Sequence, residues 1–588
     1  MFVKTTVQRS LFEIENIYPG LFPKDDWCYI YRDYIYPLID EDAYKHLYSD
    51  NNLGAPNKSI KLKISILIFM MIERLHWREA EMMFDRRMDW LIATFTAPGE
   101  VHIDFTTLFK FFLDLENDEV ALSLFTDLTK QFIKLTGIST KHQRGDSFFM
   151  IGWLKILSRY GLFKETIRKF LQSLRKQKSG LYAEIKKELS KDYLEKDFDL
   201  TEKDREKATR KTQDMANDMF MLIEAFSNHK QIQHYETFKI MQTVFEQQCA
   251  IKLSSEQVDN SEKPAKDSSN RSSKKKKKSG KSNSKKKSIV ELREKPVGDK
   301  IISSPHNPDA EYTKKRKQKI VGHKGFISET CDPKNKVQFI TDVNLEKASF
   351  SDSEELENII DRLQKNKLAP EDFNLDAGFI NGKTILSSAE KDINLIGPVA
   401  GHSQDSGKYN KDAHPFDISD FTVEIDDKTK ELTVISCPEG LVPQDQIRSE
   451  KTDKILVHFN PKCCDNCPSK GKCPVNIGKT VSTLTTDEAQ YAGAKRHKIF
   501  MEDEEYRKSC AIRSGAESLV HEITAGHDCR KSRHRSEKGS RLQLIFGAIA
   551  CNVKRFLHYM ADSAQNQVML AEINHQNRFV SVFFCKFG

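Results

Sequence analysis

From residue 319 onward the chain alternates strand-like and helix-like stretches, and this alternation constrains its fold more than any other feature. KIVGHKGFISET from Lys319 and KVQFITDVNLE from Lys336 are rich in β-branched and aromatic residues. The turn-forming CDPKN separates them, the pattern of an antiparallel pair. SDSEELENIIDRLQKNK follows from Ser351, with a Ser/Asp start and apolar residues at Leu356, Ile359, Ile360 and Leu363, the repeat of a helix. FNLDAGF and NLIGPV (from Asn394) supply two further strands. With an earlier β-compatible run, DSFFMIGWL from Asp146, the order predicts a mixed α/β sheet.

The remaining segments read as additions to that sheet. Residues 1–135 are mostly helical, with Pro56 and Ser59 as helix-start signals ahead of KSIKLKISILIFMMIERLHWREAEMMFDRRMDWLIATF. Short helices in succession suit either a nucleic-acid-binding subdomain or a plain helical bundle. Residues 136–156 hold the first strand, 157–253 a charged helical insertion, and 254–293 a Lys/Ser-rich linker expected to be disordered. Residues 294–399 carry the strand–helix alternation, 400–500 a turn-rich, cysteine-containing insertion, and 501–588 the closing helices. One of these is expected at about Asp503 to Thr524, and another over RLQLIFGAIACNVKRFLHYMADSA.

Charge is unevenly spread. Residues 271–287 hold ten Lys or Arg and no acid, so without them the net charge of +8 becomes −2. The overall pI is therefore weak evidence for a nucleic-acid partner. The basic cluster CRKSRHRSEKGSR, from Cys529 to Arg541, is more informative. The longest apolar run, Ile64 to Ile72, is too short to span a bilayer, and the first residues lack a signal peptide's apolar core. A cytoplasmic chain with no membrane partner is expected, and its twelve cysteines do not read as a secreted disulfide scaffold.

Three acids stand in distinctive settings: Asp146 in QRGDSFFMIGW, Asp376 in FNLDAGFING and Glu517 in IRSGAESLVHEI. Two strand-borne aspartates and a helix-borne glutamate can converge on a pair of divalent metals, the arrangement that phosphodiester chemistry uses. Taken singly they are also ordinary turn, strand-end and helix-surface carboxylates among 85 Asp and Glu. Their wider contexts resemble the DDE transposases of bacterial insertion sequences, in the branch with a β-rich insertion before the final glutamate. LGAPNKSIKLKISILIFMMIERLHWREAEMMFDRRMDWLIATF with FTTLFKFF resembles that family's helical N-terminal domain. GDSFFMIGWLKILSRYGLF resembles the segment of its first aspartate, and PHNPDAEYTKKRKQKIVGHKGFISET the lead into its second strand. LDAGF resembles the second-aspartate motif and RSGAESLVHEI the glutamate helix, all in the family's order.

The resemblance implies an RNase H-like mixed-sheet core with a helical N-terminal domain, a helical insertion and a β-rich insertion. It implies Asp146, Asp376 and Glu517 as ligands of Mg2+ (or Mn2+), and cleavage and strand transfer at the element's terminal inverted repeats and target DNA. A homo-oligomer on DNA is expected, with Arg513, Arg530, Lys531, Arg533 and Arg535 on phosphates. The family's glutamate helix commonly carries Tyr, Arg, Glu and Lys at fixed spacing. Arg513 and Glu517 fit it, whereas Cys510 and Thr524 stand at the other two positions. A catalytically decayed DNA-binding relative and a nuclease without strand transfer remain alternatives.

Cys437, then Cys464, Cys467 and Cys473 in CCDNCPSKGKC, give one upstream thiol plus C-x2-C-x5-C. Four such sulfurs can hold structural Zn2+, although Cys463 leaves the ligand set ambiguous and reduced cysteines in a turn are the plain alternative. His458 and His521 read as structural, with no thiol–histidine pair evident.

Overall fold

The structure is a computed structural model, and it describes residues 2–4, 10–48, 56–116, 119–152, 157–195, 204–254, 287–298, 300–315, 318–399, 416–426 and 428–562. The chain divides into two compact units, one of residues 1–152 with 323–588 and one of residues 153–322. Most of the Lys/Ser-rich stretch expected to be disordered, residues 255–286, lies outside the described residues. Its flanks differ from the expectation: Cys249–Ser254 and Lys287–Leu292 pair as an antiparallel two-stranded sheet.

The first unit opens with helices. Helix α1 (Ile60–Ile72) is apolar on every face and almost wholly buried, the pattern of a core helix. It starts four residues after Pro56, where the Ser59 side chain accepts from the Leu62 amide. Lys63 is buried in it. Its Nζ donates to the Tyr48 hydroxyl at 2.5 Å and lies over the Phe111 ring, while burial pulls its ammonium down to about 8. Helix α2 (Val120–Thr136) ends at Gly137, whose φ of 65° supplies the left-handed residue that closes a helix.

Five strands of the central sheet follow: β1 (His142–Ile151), β2 (Gln318–Thr330), β3 (Ile340–Lys347), then helix α3 (Asp352–Lys365), β4 (Asp372–Asn374) and β5 (Asn394–Ile396). They stand in the order β3–β2–β1–β4–β5. The pair β2/β3 is antiparallel, as the sequence suggested, and β1/β4 and β4/β5 are parallel. The mixed α/β reading holds, and β1 begins four residues before Asp146.

Helix α4 (Gly515–His521) and the long helix α5 (Glu537–Asp562) complete the unit. The helix expected over Asp503–Thr524 is interrupted. Glu504–Cys510 is α-helical, Ala511–Ser514 tightens to a 3-10 turn, and Glu522–Gly526 widens to a π turn beyond α4. Helix α5 shares one hydrophobic core with α1, α2 and the sheet, with Phe556 stacked on Phe132 at 4.4 Å. Asn552 extends β3 as a strand neighbour would: its Oδ1 accepts from the Ile340 amide at 2.8 Å, and its Nδ2 donates to the Ile340 carbonyl and to Thr129. The N-terminal helices therefore do not build a core of their own.

Between β5 and α4 lies the turn-rich segment. Thr422–Ile425 pairs with Leu432–Ser436, and Asp445–Arg448, Ile455–Phe459, Ser482–Thr486 and Asn476–Ile477 form a four-stranded antiparallel sheet. Helix Glu488–Glu502 docks on helix Gly382–Ala389 at a glycine contact, where a Cβ on Gly382 would stand 1.7 Å from the Ala489 carbonyl oxygen.

The second unit packs helices Arg159–Gln177, Arg205–Phe226 and Glu236–Gln248 around a separate core that includes Phe163, Phe170, Met219 and Phe238. Glu311–Lys315 pairs antiparallel with the opening residues of β2. No helix among the described residues is long and apolar enough to cross a membrane.

Candidate active site

Asp146 and Asp376 come from adjacent parallel strands. The β1/β4 register pairs His142 with Asp372, Gln143 with Phe373 and Arg144 with Asn374. The ladder ends at Arg144 and Asn374, each two residues before its aspartate, where β4 stops and β1 runs on to Ile151. Gly145 lets β1 pack tightly here, since a Cβ on it would stand 3.1 Å from Leu375 and 3.2 Å from the Ser328 hydroxyl. Asp376 follows β4 in a turn, where its Oδ1 accepts from the Gly378 amide. Both aspartates are half-buried.

The Glu517 segment is drawn to the same strand ends by two arginines. Arg513 Nη1 lies 3.7 Å from Asp376 Oδ2. Arg144, two residues before Asp146, donates from Nη1 to the Ile512 carbonyl at 3.2 Å, while its other nitrogens meet Glu329 at 2.6 and 2.8 Å. Gly515 permits this approach, because a Cβ there would stand 1.7 Å from Arg144 Nη1. Ala516 and Leu519 anchor α4 inward, and Glu517 projects from its exposed side. The chain thus brings three acid-bearing segments, far apart in sequence, to one end of the sheet. The contacts run through Arg144 and Arg513.

Arg144 is the first member of a buried relay that no sequence motif marks. Glu329, 1% exposed, also accepts from Arg555 at 2.7 Å, and Arg555 donates to Glu522 at 2.6 Å. Burial works against the Arg555 charge, but the Cys551 sulfur, Glu329 and Glu522 outweigh it and hold the guanidinium above its ordinary range. The relay ties β1 to the π turn after α4 and to α5.

The basic cluster splits in two. Arg530, Lys531 and Arg535 are exposed, and Lys531 forms a parallel bridge with Ile151 at the end of β1. The Arg533 side chain is only 9% exposed. It pairs with Asp528 at 2.5 Å and donates to the Leu75 and Arg74 carbonyls, so its guanidinium is taken up in the fold. At the position expected to hold lysine, Thr524 is buried and bonded to the Val520 carbonyl. The Cys510 thiol is pushed up by burial. His458 pairs with Asp445 at 2.5 Å across the four-stranded sheet, and His521 closes α4.

Two buried histidines pin this segment to the N-terminal helices. His527 Nδ1 lies 3.3 Å from the Met71 carbonyl, and His534 stacks on Phe112 at 4.5 Å. Burial pulls each imidazole from 6.5 to about 4, with Arg533 adding to the effect at His534. The folded chain keeps both neutral, whereas the unfolded chain takes up protons below its ordinary value. Their contribution is therefore full above about pH 6.5 and is lost as pH falls from there to about 4. Thermal melts between pH 7.5 and 4.5 are expected to decline across this window, less steeply in His534→Phe. Parallel declines in the two proteins would contradict the assignment.

Carboxylate oxygens at the rim of a sheet suit a hard divalent cation, which keeps several waters and needs few protein ligands. The three acids do not form one tight cage. Among the described residues, only Glu522, His527 and Cys551 place three ligand atoms within 4.8 Å of one another. A two-ion site needs no such cage, because the ions themselves stand about 3.5–4 Å apart.

Fold and site together define an α/β protein that presents acidic residues and exposed basic residues at one end of a mixed sheet. Residues 436–557, a stretch that includes Glu517, match the family described as the transposase DDE domain, a similarity that supports a DDE transposase. A DDE domain implies a nucleic-acid-cleaving enzyme with DNA as its substrate. No match was found among curated proteins or solved structures.

Proposed function

We propose that the chain cleaves DNA at the ends of an insertion sequence and joins the freed 3′-hydroxyl to target DNA, using Asp146, Asp376 and Glu517. The observation that carries this reading is the meeting of their three segments through Arg144 and Arg513. The strand order β3–β2–β1–β4–β5, with its antiparallel β2/β3 pair, supports an RNase H-like core. The three carboxylates would hold Mg2+ or Mn2+, which when bound supplies an activated hydroxyl and stabilises the leaving oxygen. Arg513 neutralises Asp376 in the resting chain and would turn to phosphate when DNA and cation arrive. Arg530, Lys531 and Arg535 contact the backbone, so binding weakens steeply with salt. A homo-oligomer assembled on paired ends suits a reaction that joins two termini to one target.

The noncatalytic alternative draws on Cys510 and on Thr524, whose buried hydroxyl offers no charge to DNA. Purified full-length chain incubated with duplexes bearing the repeats that flank its gene decides between them. Cleavage and strand-transfer products that require Mg2+ and vanish with EDTA are expected. Salt-sensitive binding without cleavage would establish the noncatalytic relative, and cleavage without joined products a nuclease.

A further inference from the structure

The turn-rich segment has a small core for its size. Nine buried apolar residues, Phe421, Val457 and Phe459 among them, serve six short strands and a helix. Segments with so little burial usually carry a covalent or metal staple. Five cysteines lie in this segment, and none of the described ones is in a disulfide.

Four of the five line one cavity and are partly buried. Cys437 occupies a tight loop after strand Leu432–Ser436. Its amide donates to the Leu441 carbonyl at 2.9 Å, and the Leu441 amide points back at its Sγ at 3.3 Å. Gly440, with φ of 80°, supplies the left-handed turn that aims that amide at sulfur. An N–H directed at sulfur stabilises a thiolate, as in metal-binding loops. Cys464 and Cys467 lie at the end of a one-turn helix begun by Pro461 and capped by Asn460, and Cys473 precedes the edge strand Asn476–Ile477. The four sulfur-bearing residues line a single cavity of about 390 Å³. Cys463 touches the same cavity, but it is exposed.

We propose that Cys437, Cys464, Cys467 and Cys473 bind one zinc ion that staples the turn-rich segment, with Cys463 outside the ligand set. Four thiolates at about 2.3 Å from one ion stand about 3.8 Å apart. No three of these sulfurs lie within 4.8 Å of one another. Binding therefore rotates the cysteine side chains inward and closes the loop of Cys437 on the turn of Cys464 and Cys467. The four thiol protons leave to solvent, and Lys462 and Lys472 on the same loop bring positive charge near the site, whereas Lys470 is paired with Asp465. The tighter cluster of Glu522, His527 and Cys551 is a poorer site, because the Arg555 guanidinium already holds Glu522 and would face the ion.

Metal content, which is independent of catalysis, tests this site. Full-length protein purified without chelator is expected to carry about one zinc per chain by mass spectrometry of the metal. Cys463→Ser should retain it, and Cys467→Ser should lose most of it. Because Cys467→Ser can misfold, the unaltered protein is also stripped and titrated with Co2+. Near-ultraviolet thiolate-to-cobalt absorption and intense visible bands of a tetrahedral ion are expected, saturating at one equivalent and bleached by Zn2+. A chain without zinc and without that absorption overturns the site. Zinc retained in both Cys467→Ser and Cys437→Ser, or lost in Cys463→Ser, overturns the ligand set.

Discussion

Asp376→Asn is expected to lower the rate of DNA strand cleavage by about a thousandfold or more while leaving the chain folded. Removing one carboxylate ligand withdraws several kcal/mol of transition-state stabilisation, and each ~1.4 kcal/mol is about tenfold in rate. Asparagine keeps the shape of the side chain and an oxygen that can accept from the Gly378 amide, so the turn after β4 survives. Asp376 is half-exposed and its partner Arg513 lies 3.7 Å away, a loose pair contributing little to stability. Removing a negative charge from a surface that meets phosphates should leave DNA affinity equal or slightly higher. Loss of cleavage with binding intact is therefore the signature, and single-turnover assays with a parallel binding titration measure both. Asp146→Asn and Glu517→Gln should behave alike if the three groups act as the one site proposed above. A variant at any of the three that cleaves at the unaltered rate removes that residue from the site.

The sheet was largely legible because its signals are local. Leu356, Ile359, Ile360 and Leu363 lie on one face of α3, and all four are buried. The antiparallel β2/β3 pair followed from two β-rich runs across a short turn. The parallel pairing of β1 with β4 was not legible from either strand, because a parallel register has no local mark. The relay was not legible at all. Arg144 and Glu329 are 185 residues apart and Glu329 and Arg555 are 226 apart, and nothing near any of the three in sequence names its partner. Periodicity likewise pointed to one helix across residues 503–524, whereas the close approach of Gly515 to Arg144 and the π turn beyond His521 divide it. Charge clustering alone placed Arg533 with its exposed neighbours. Asp528 and two backbone carbonyls just beyond α1 hold it instead, a distinction that depends on tertiary neighbours.

Glu329→Gln is expected to destabilise the first unit by about 3–5 kcal/mol, the range for removing one partner from a buried charged network. Glutamine keeps the volume and some hydrogen bonding but not the charge. Arg144 and Arg555, whose side chains are 19% and 17% exposed, would then face each other without a shared anion. Denaturant unfolding followed by hydrogen exchange at β1 and α5 reads the loss where it occurs. The consequence reaches the site as well, because Arg144 is also the donor to Ile512 that seats the Glu517 segment against β1. A partly released Arg144 should lower cleavage even under conditions where the variant remains folded. Pairing Glu329→Gln with Arg144→Met separates the two roles. If the guanidinium is stranded by loss of its partner, the double variant recovers part of the lost stability, yet its cleavage stays low because the seat of α4 is gone. A Glu329→Gln protein within about 1 kcal/mol of the unaltered one would mean that the relay does not hold these elements together. The seating of the Glu517 segment would then rest on the Arg513–Asp376 pair and the packing of Ala516 and Leu519.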